Sequence, residues 1–348
     1  MRHLFVCHTQ AHLILACGLS KGRFKNDENH LVLFRDFDLN DELRGKLESF
    51  FSSTLFLTGG SPASNKTFKA RLKWHKEDNR LLKQHIKQPY DHVFAVCDWT
   101  PPVQYCLKCC RDLNKNTQFI WLEDGILSYF PNVKLHKGSD KYAFTMYLRK
   151  ILFKYLMGIG SIYDRDFTEM GGLKIFHQMY TLYPEAVREP YRSSRELVKI
   201  EDEEYLAGVR TLYDARDLDI PEGSILLLVD KLDTYIYPDK VQASIVRLKE
   251  KARVEGKKLF CKFHPREDME WPVFDGCTIL ERTIGAESLY LSLIPQKDNI
   301  SVVGIKSAGL MSAKKMGFDV TTLFNECGES NPDLVKFFTR LGCQFGPG

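Results

Sequence analysis

Long apolar runs are missing from this chain. No stretch approaches the roughly 18–20 apolar residues that span a bilayer, so no transmembrane helix is expected. A charged leader with a small-residue cleavage site is missing too, because Met1-Arg2 leads straight into Leu4-Phe5-Val6-Cys7, which reads as a first strand. Nor is there a large excess of one charge. Lys and Arg number 49 against 45 Asp and Glu, a formal net charge of +4. That excess is too small to argue for nucleic acid, but it suits an anionic substrate or a glancing contact with acidic lipid. Internal repeats and low-complexity segments are lacking. Neither G-x-G-x-x-G nor G-x-x-x-x-G-K-[ST] occurs, which argues against a dinucleotide dehydrogenase and a P-loop enzyme.

Cysteine is plentiful by contrast, with ten residues. Cys7, Cys17, Cys97, Cys106, Cys261, Cys277 and Cys343 sit in or beside apolar stretches, as buried free thiols in a reducing cytosol do. A cytoplasmic location is therefore expected. Cys106, Cys109 and Cys110 make the one cluster, and without a second C-x-x-C pair they read as structural thiols rather than a zinc site.

A length of 348 residues exceeds one ordinary core and suits two α/β domains of about 100–200 residues each. Short apolar runs alternate with amphipathic stretches throughout. Leu4–Cys7, Leu31–Phe34, Thr54–Leu57, His92–Cys97 and Gln118–Leu122 are continuous and rich in branched or aromatic residues, the pattern of parallel strands covered on both faces. Helices are expected between them at His12–Leu19, Asp41–Phe50, Ala70–His85 and Val103–Leu113. Tyr142–Ile162 is apolar and studded with Lys and Arg. It reads as a helix packed on its own domain with snorkelling cations, or as a surface lying on an anionic membrane. The charged stretch Arg188–Glu204 separates the halves and reads as a linker or bridging helix. A second series follows: strands at Ser224–Val229, Lys258–Lys262, Cys277–Leu280, Ile300–Gly304 and Val320–Leu323, with a helix near Asp239–Glu255. The expected architecture is α/β of GT-B type, two Rossmann-like doubly wound domains facing a cleft: residues 1–190, a linker at 191–215, and residues 216–348.

Open α/β sheets bind ligands beyond the carboxyl ends of their strands. Three such places stand out. Glu123-Asp124-Gly125 ends a strong strand, and adjacent side chains there point to opposite sides, so one carboxylate can face a cleft while the other orients the loop. A carboxylate beside a sugar hydroxyl can take its proton, although E-D-G is also good turn chemistry. Lys262, His264 and Pro265 end a strand of the second half. Proline holds the histidine extended, where it can donate to a leaving phosphate. Lys306-Ser307-Ala308 joins a strand to a helix, and small residues there leave amide hydrogens for an anion or simply cap the helix. Around these, His8, Thr9 and Gln10 follow the first strand and Trp99 follows the fourth, an acceptor-side set in which Trp99 can stack on a sugar.

Together the three places resemble the bacterial GT-B sialyltransferases, which share a [DE]-[DE]-G motif in the first domain and His-Pro and serine motifs in the second. The opening "LFVCHTQAHLILACGL", with "LEDG" and "FHPRE", is similar to glycosyltransferase family 52, the lipooligosaccharide sialyltransferases. The polysialyltransferases of family 38 share the same motifs. The serine motif departs from the usual Ser-Ser or Ser-Thr, since Lys306 precedes Ser307 and Ala308 follows it.

The resemblance implies an inverting, metal-independent transfer of sialic acid from CMP-sialic acid to an oligosaccharide or glycolipid hydroxyl, with no cofactor. Glu123 is the expected base, with Asp124 positioning loop or substrate, and His264 the expected donor to the phosphate. Gly125, Pro265, Lys262, Glu287, Lys306, Ser307 and Ala308 are expected on the donor side, Glu287 near the ribose. Asp230 or Asp233 is the alternative base. Another GT-B transferase using Kdo or a hexose, and a non-catalytic glycan-binding protein, are the competing expectations. A peripheral contact with the inner membrane is the remaining one.

Overall fold

The apolar runs become two all-parallel sheets in the computed structural model. It describes residues 1–35, 37–58, 68–98, 100–129, 171–189, 191–231, 234–265, 267, 271–328 and 331–346, with positions 148, 151, 155 and 158 between. The chain divides into Met1–Leu212 and Tyr213–Gly348, and each unit carries its own sheet.

In the first unit β1 (Arg2–Cys7), β2 (Glu28–Phe34), β3 (Ser53–Leu57), β4 (His92–Ala95), β5 (Gln118–Leu122), β6 (Phe176–Thr181) and β7 (Glu196–Lys199) lie in the order β3-β2-β1-β4-β5-β6-β7. Helices α1 (Gln10–Lys21), α2 (Asp41–Phe50), α3 (Phe68–His85) and α4 (Pro101–Leu113) make crossovers between the strands. Local chemistry sets their starts: Asn40 Oδ1 accepts from Leu43 N at 2.8 Å, and Pro101-Pro102 open α4. Strand order reverses between β1 and β4, so the ligand crevice of such a sheet falls at their carboxyl ends.

The expected linker is folded structure of the first unit. β7 pairs with β6 through Gln178↔Glu196 to Thr181↔Lys199, and α5 (Asp202–Leu212) packs on α1. Charge in this stretch misleads because Asp202, Glu203 and Glu204 fill the first turn of α5, where acidic residues favour a helix. The expected helix over Tyr142–Ile162 lies outside the described residues apart from isolated positions.

The second unit repeats the plan. β8 (Ile225–Val229), β9 (Leu259–Phe263), β10 (Thr278–Ile279), β11 (Ser301–Gly304), β12 (Asp319–Thr322) and β13 (Gln344–Phe345) stand in the order β10-β9-β8-β11-β12-β13. Ile225, Leu227 and Val229 share a core with Val241, Ile245 and Leu248 of α6 (Pro238–Val254). Three further helices, α7 (Ala286–Leu293), α8 (Gly309–Lys315) and α9 (Pro332–Arg340), complete the layers. Here the order reverses between β8 and β11.

The ten cysteines are free thiols, eight of them buried, while Cys109 and Cys277 are half-buried. Cys277 thus departs from the buried set expected, and Cys110 and Cys327 join it.

Candidate active site

In the first unit, β5 delivers Glu123 and Asp124 to the carboxyl edge of the sheet, where their environments differ sharply. Glu123 is 1% exposed. Its Oε2 accepts from Thr181 Oγ1 at 2.9 Å, from the Leu182 amide at 2.7 Å and from the Tyr129 hydroxyl. Burial beside this carboxylate pushes the Tyr129 hydroxyl well above its usual pKa, so it remains a donor. Glu123 is therefore a latch that ties the turn after β5 to the end of β6. Glu123, the carboxylate expected to act as base, is thus the enclosed member of the pair.

Asp124 is the accessible carboxylate, its side chain 21% exposed. Its amide donates to Ser128 Oγ at 2.9 Å, and Gly125 turns the backbone at φ +51°, a region that costs glycine little. Oδ1 of Asp124 lies 2.9 Å from Nε2 of His12, a residue that the motifs did not single out. His12 sits at the third position of α1. Its amide donates to the Thr9 hydroxyl at 3.4 Å, and its Nδ1 accepts from the Thr9 amide at 3.2 Å and the His8 amide at 3.3 Å. The signal for it is the spacing Thr9-x-x-His12, a capping box with histidine in place of Glu or Gln. Thr9 is thus committed to the cap. Gln10, half-buried, begins the same helix, and Trp99 lies outside the described residues.

Asp98, fully buried after β4, spends its carboxylate on the amides of Gly171 and Leu173, both at 2.9 Å. It anchors the chain entering β6. Burial raises its pKa against those two amides.

In the second unit, Asp230 follows β8. Its Oδ2 accepts from the Lys306 amide at 3.1 Å and the Tyr235 hydroxyl at 3.2 Å, and burial raises its pKa. Lys306 Nζ in turn donates to the Thr234 carbonyl at 3.0 Å and lies 5.2 Å from the centroid of the Tyr235 ring. Asp230 and Lys306 therefore stitch the loops after β8 and β11 together across the switch point. Asp230, expected as an alternative base, and Lys306, expected on the donor side, are both half-buried in this arrangement. Asp233 lies outside the described residues. Ser307 Oγ accepts from the Gly309 amide at 3.2 Å, and Ala308 is exposed at the start of α8.

His264 and Pro265 are exposed at the end of β9, with the His264 amide donating to the Val229 carbonyl at 2.9 Å. Lys262, expected on the donor side, is buried instead. Its Nζ donates to the carbonyls of Phe263 at 2.6 Å and Arg282 at 3.0 Å, and burial lowers its pKa while Glu287 opposes the shift. Arg282 Nη1 reaches the Glu267 carbonyl at 2.6 Å, so Lys262 and Arg282 brace the His-Pro turn from behind. Glu287 stands half-buried in the first turn of α7, where its Oε1 accepts from Ser312 Oγ of α8 at 2.7 Å. Among the described residues no three His, Cys, Asp or Glu side chains gather to hold a metal ion.

Each unit thus carries its own candidate residues at its strand ends: Asp124 beside His12 in the first, and in the second His264 after β9 and Ser307 after β11, near the Asp230–Lys306 and Lys262–Arg282 bonds. Tyr129, Thr181, Tyr235 and Arg282 carry no motif. They act by supporting the residues that do.

Known proteins are similar at two levels. No curated protein sequence matches the chain. Solved structures do: a Listeria monocytogenes protein assigned as a UDP-N-acetylglucosamine 2-epimerase shares 12% identity over 98% of this chain and 87% of its own, at a TM-score of 0.55. The UDP-GlcNAc 2-epimerase of Neisseria meningitidis bound to UDP-GlcNAc gives 11% identity, 100% and 95% coverage and a TM-score of 0.52. A UDP-glucosyltransferase from Polygonum tinctorium gives 8%, 92% and 79%, and 0.51. Likeness at such identity shows the fold alone, which is GT-B with two Rossmann-like domains. The model of the family described as alpha-2,8-polysialyltransferase matches residues 4–324, from β1 to the segment after β12. Of the two families the sequence resembles, this is the one matched. The chain belongs to the alpha-2,8-polysialyltransferase family and is a glycosyltransferase.

Proposed function

We propose that this enzyme transfers sialic acid from CMP-sialic acid to the hydroxyl of a glycan, of capsule or lipooligosaccharide type, with Asp124 as the base. The observation that carries the reading is the accessible Asp124 carboxylate at the carboxyl edge of the first sheet, fixed by His12 and by its own amide bond to Ser128. Asp124 Oδ2 takes the proton of the acceptor hydroxyl as its oxygen bonds to the anomeric carbon of sialic acid. The bond from that carbon to the phosphate oxygen breaks on the opposite side, so the centre inverts. His264 gives a proton to the departing phosphate oxygen, and CMP leaves. Both groups are then restored by exchange with water. Ser307 and Ala308 stand on the phosphate side in this reading, and Glu287 remains on the donor side. Because CMP is already a competent leaving group, hydrogen bonding by His264 suffices without a metal.

The test is release of CMP from CMP-sialic acid in EDTA, with acceptors ending in sialic acid or in lactose. Turnover by the wild type that is lost in Asp124→Asn and His264→Ala supports the reading. No CMP release and no CMP binding overturns it and sends the search to other activated sugars. The expected contact of Tyr142–Ile162 with an anionic membrane face belongs to the same proposal. Sedimentation with phosphatidylserine vesicles, compared with neutral ones, decides it.

A further inference from the structure

We infer that His12 is a positioning residue for Asp124, locked in one tautomer by the helix that carries it. The inference rests on the reading of Asp124 as the base and adds the device that aims it. Backbone amides can only donate. Nδ1 of His12 lies 3.2 Å from the Thr9 amide and 3.3 Å from the His8 amide, so that nitrogen must be the acceptor. The ring proton is then forced onto Nε2, which lies 2.9 Å from Asp124 Oδ1. Carboxylate oxygens of an ionised Asp only accept, so this contact is a donated N–H···O bond of fixed polarity. His12 is 4% exposed and cannot turn away. One oxygen of Asp124 is thereby occupied permanently, and the other is left to meet the acceptor hydroxyl. The whole helix start is spent on this arrangement: Thr9 caps α1, His12 completes the box, and its far edge holds the carboxylate.

Capping chemistry supplies variants that separate aiming from mere helix capping. Glu and Gln are the ordinary partners of Thr in a capping box. His12→Gln keeps an acceptor for the Thr9 amide and an N–H for Asp124. His12→Glu keeps the cap acceptor but sets a second carboxylate against Asp124. His12→Ala keeps neither. If His12 aims Asp124, His12→Glu and His12→Ala lower kcat about 10²-fold, the cost of a misplaced group, while donor KM stays near the wild-type value. His12→Gln recovers most of that loss. If His12→Glu is as active as His12→Gln, the residue is a cap only and the inference falls. A second measurement is independent of the donor. Imidazole 15N shifts, with His12 identified by its loss in His12→Gln, are expected to show Nε2 protonated and Nδ1 bare. The Nε2 shift is expected to move in Asp124→Ala. An Nδ1-protonated ring, or one that does not respond to Asp124→Ala, overturns the pairing. A wild type that releases no CMP overturns the donor instead, and the two failures are distinct.

Discussion

At the residue scale, two neighbouring carboxylates that look alike in sequence have been given different work. Glu123 accepts three hydrogen bonds on one oxygen inside the domain, whereas Asp124 meets solvent. Glu123→Gln presents an amide where donors point inward, and leaving a buried group unsatisfied costs about 1–3 kcal/mol. It is expected to lower the thermal midpoint of the first unit clearly. Asp124→Asn keeps an acceptor for His12 and buries nothing new. It is expected to leave the midpoint near that of wild type while kcat falls about 10²–10⁴-fold, the usual worth of a general base. Thermal melts beside initial rates for both variants check this, and a full-rate Asp124→Asn would remove it from the chemistry. The motif itself was legible, since E-D-G at the end of a strong strand marks the place. Which carboxylate turns inward was not. Phe119, Ile120, Trp121 and Leu122 are all buried, so β5 shows no alternation from which to extrapolate, and the partners that decide it, Tyr129 and Thr181, arrive from outside the strand.

At the scale of elements, α1 packs backbone to backbone against α5. A Cβ on Gly208 would stand 1.9 Å from the Ile14 carbonyl oxygen, and one on Gly18 would stand 2.2 Å from that of Glu204. Both obstacles are backbone, so no side chain can swing aside and the helices must part. Gly208→Ala is expected to destabilise the unit by about 3 kcal/mol or more, at the upper end of overpacking costs. Because α1 begins with Thr9 and His12, parting the helices also disturbs the hold on Asp124. Urea melts should show the loss of stability, and kcat should fall in protein that remains folded. An alanine tolerated at both thermodynamic and kinetic levels would mean that the helices sit further apart. The strands and helices before β6 were legible because each strand is a continuous apolar run and the stretches between them are amphipathic. The pairing of α1 with α5 was not, for it joins residues about 190 apart through glycines that have no side chain to leave a pattern. β6, "FHQMYT", was missed because polar residues interrupt the apolar run that marks the other central strands.

At the scale of the whole molecule, titration is uneven. Nine of the ten histidines belong to the first unit, and His264 alone to the second. At the amino edge of the first sheet, opposite the candidate site, His3 of β1 and His92 of β4 are paired in register, their rings stacked 5.0 Å apart and their Nδ1 atoms 3.1 Å apart. His3 Nε2 faces Asp27 at 3.1 Å, and Asp27 also takes the N-terminal ammonium at 2.8 Å. Phe24 and Phe94 line the rings, with Asp91 and Gln118 near His92. With Asp27 accepting, His3 carries its proton on Nε2 and accepts from His92 at Nδ1, so a second proton has no place between the rings. Burial lowers the pKa of His3 and of His92, and of His85 at the end of α3. The sign follows. A histidine whose folded pKa lies below its unfolded value binds fewer protons when folded, so its stabilising share is complete above about pH 6.5 and drains as pH falls below it. Each such proton contributes up to about 1.4 kcal/mol per pH unit. Calorimetry is expected to show the first unit's transition moving down between pH 7.5 and 5.5, while the second unit's holds nearly still. His92→Gln is expected to flatten the slope of the first. Equal shifts in both units, or an unchanged slope in that variant, would place the acid sensitivity elsewhere. Two βα series, and hence two units, could be read directly from alternating apolar runs. The histidine pair could not, because the register of a parallel sheet, which brings positions 3 and 92 together, is written in no single stretch of the chain.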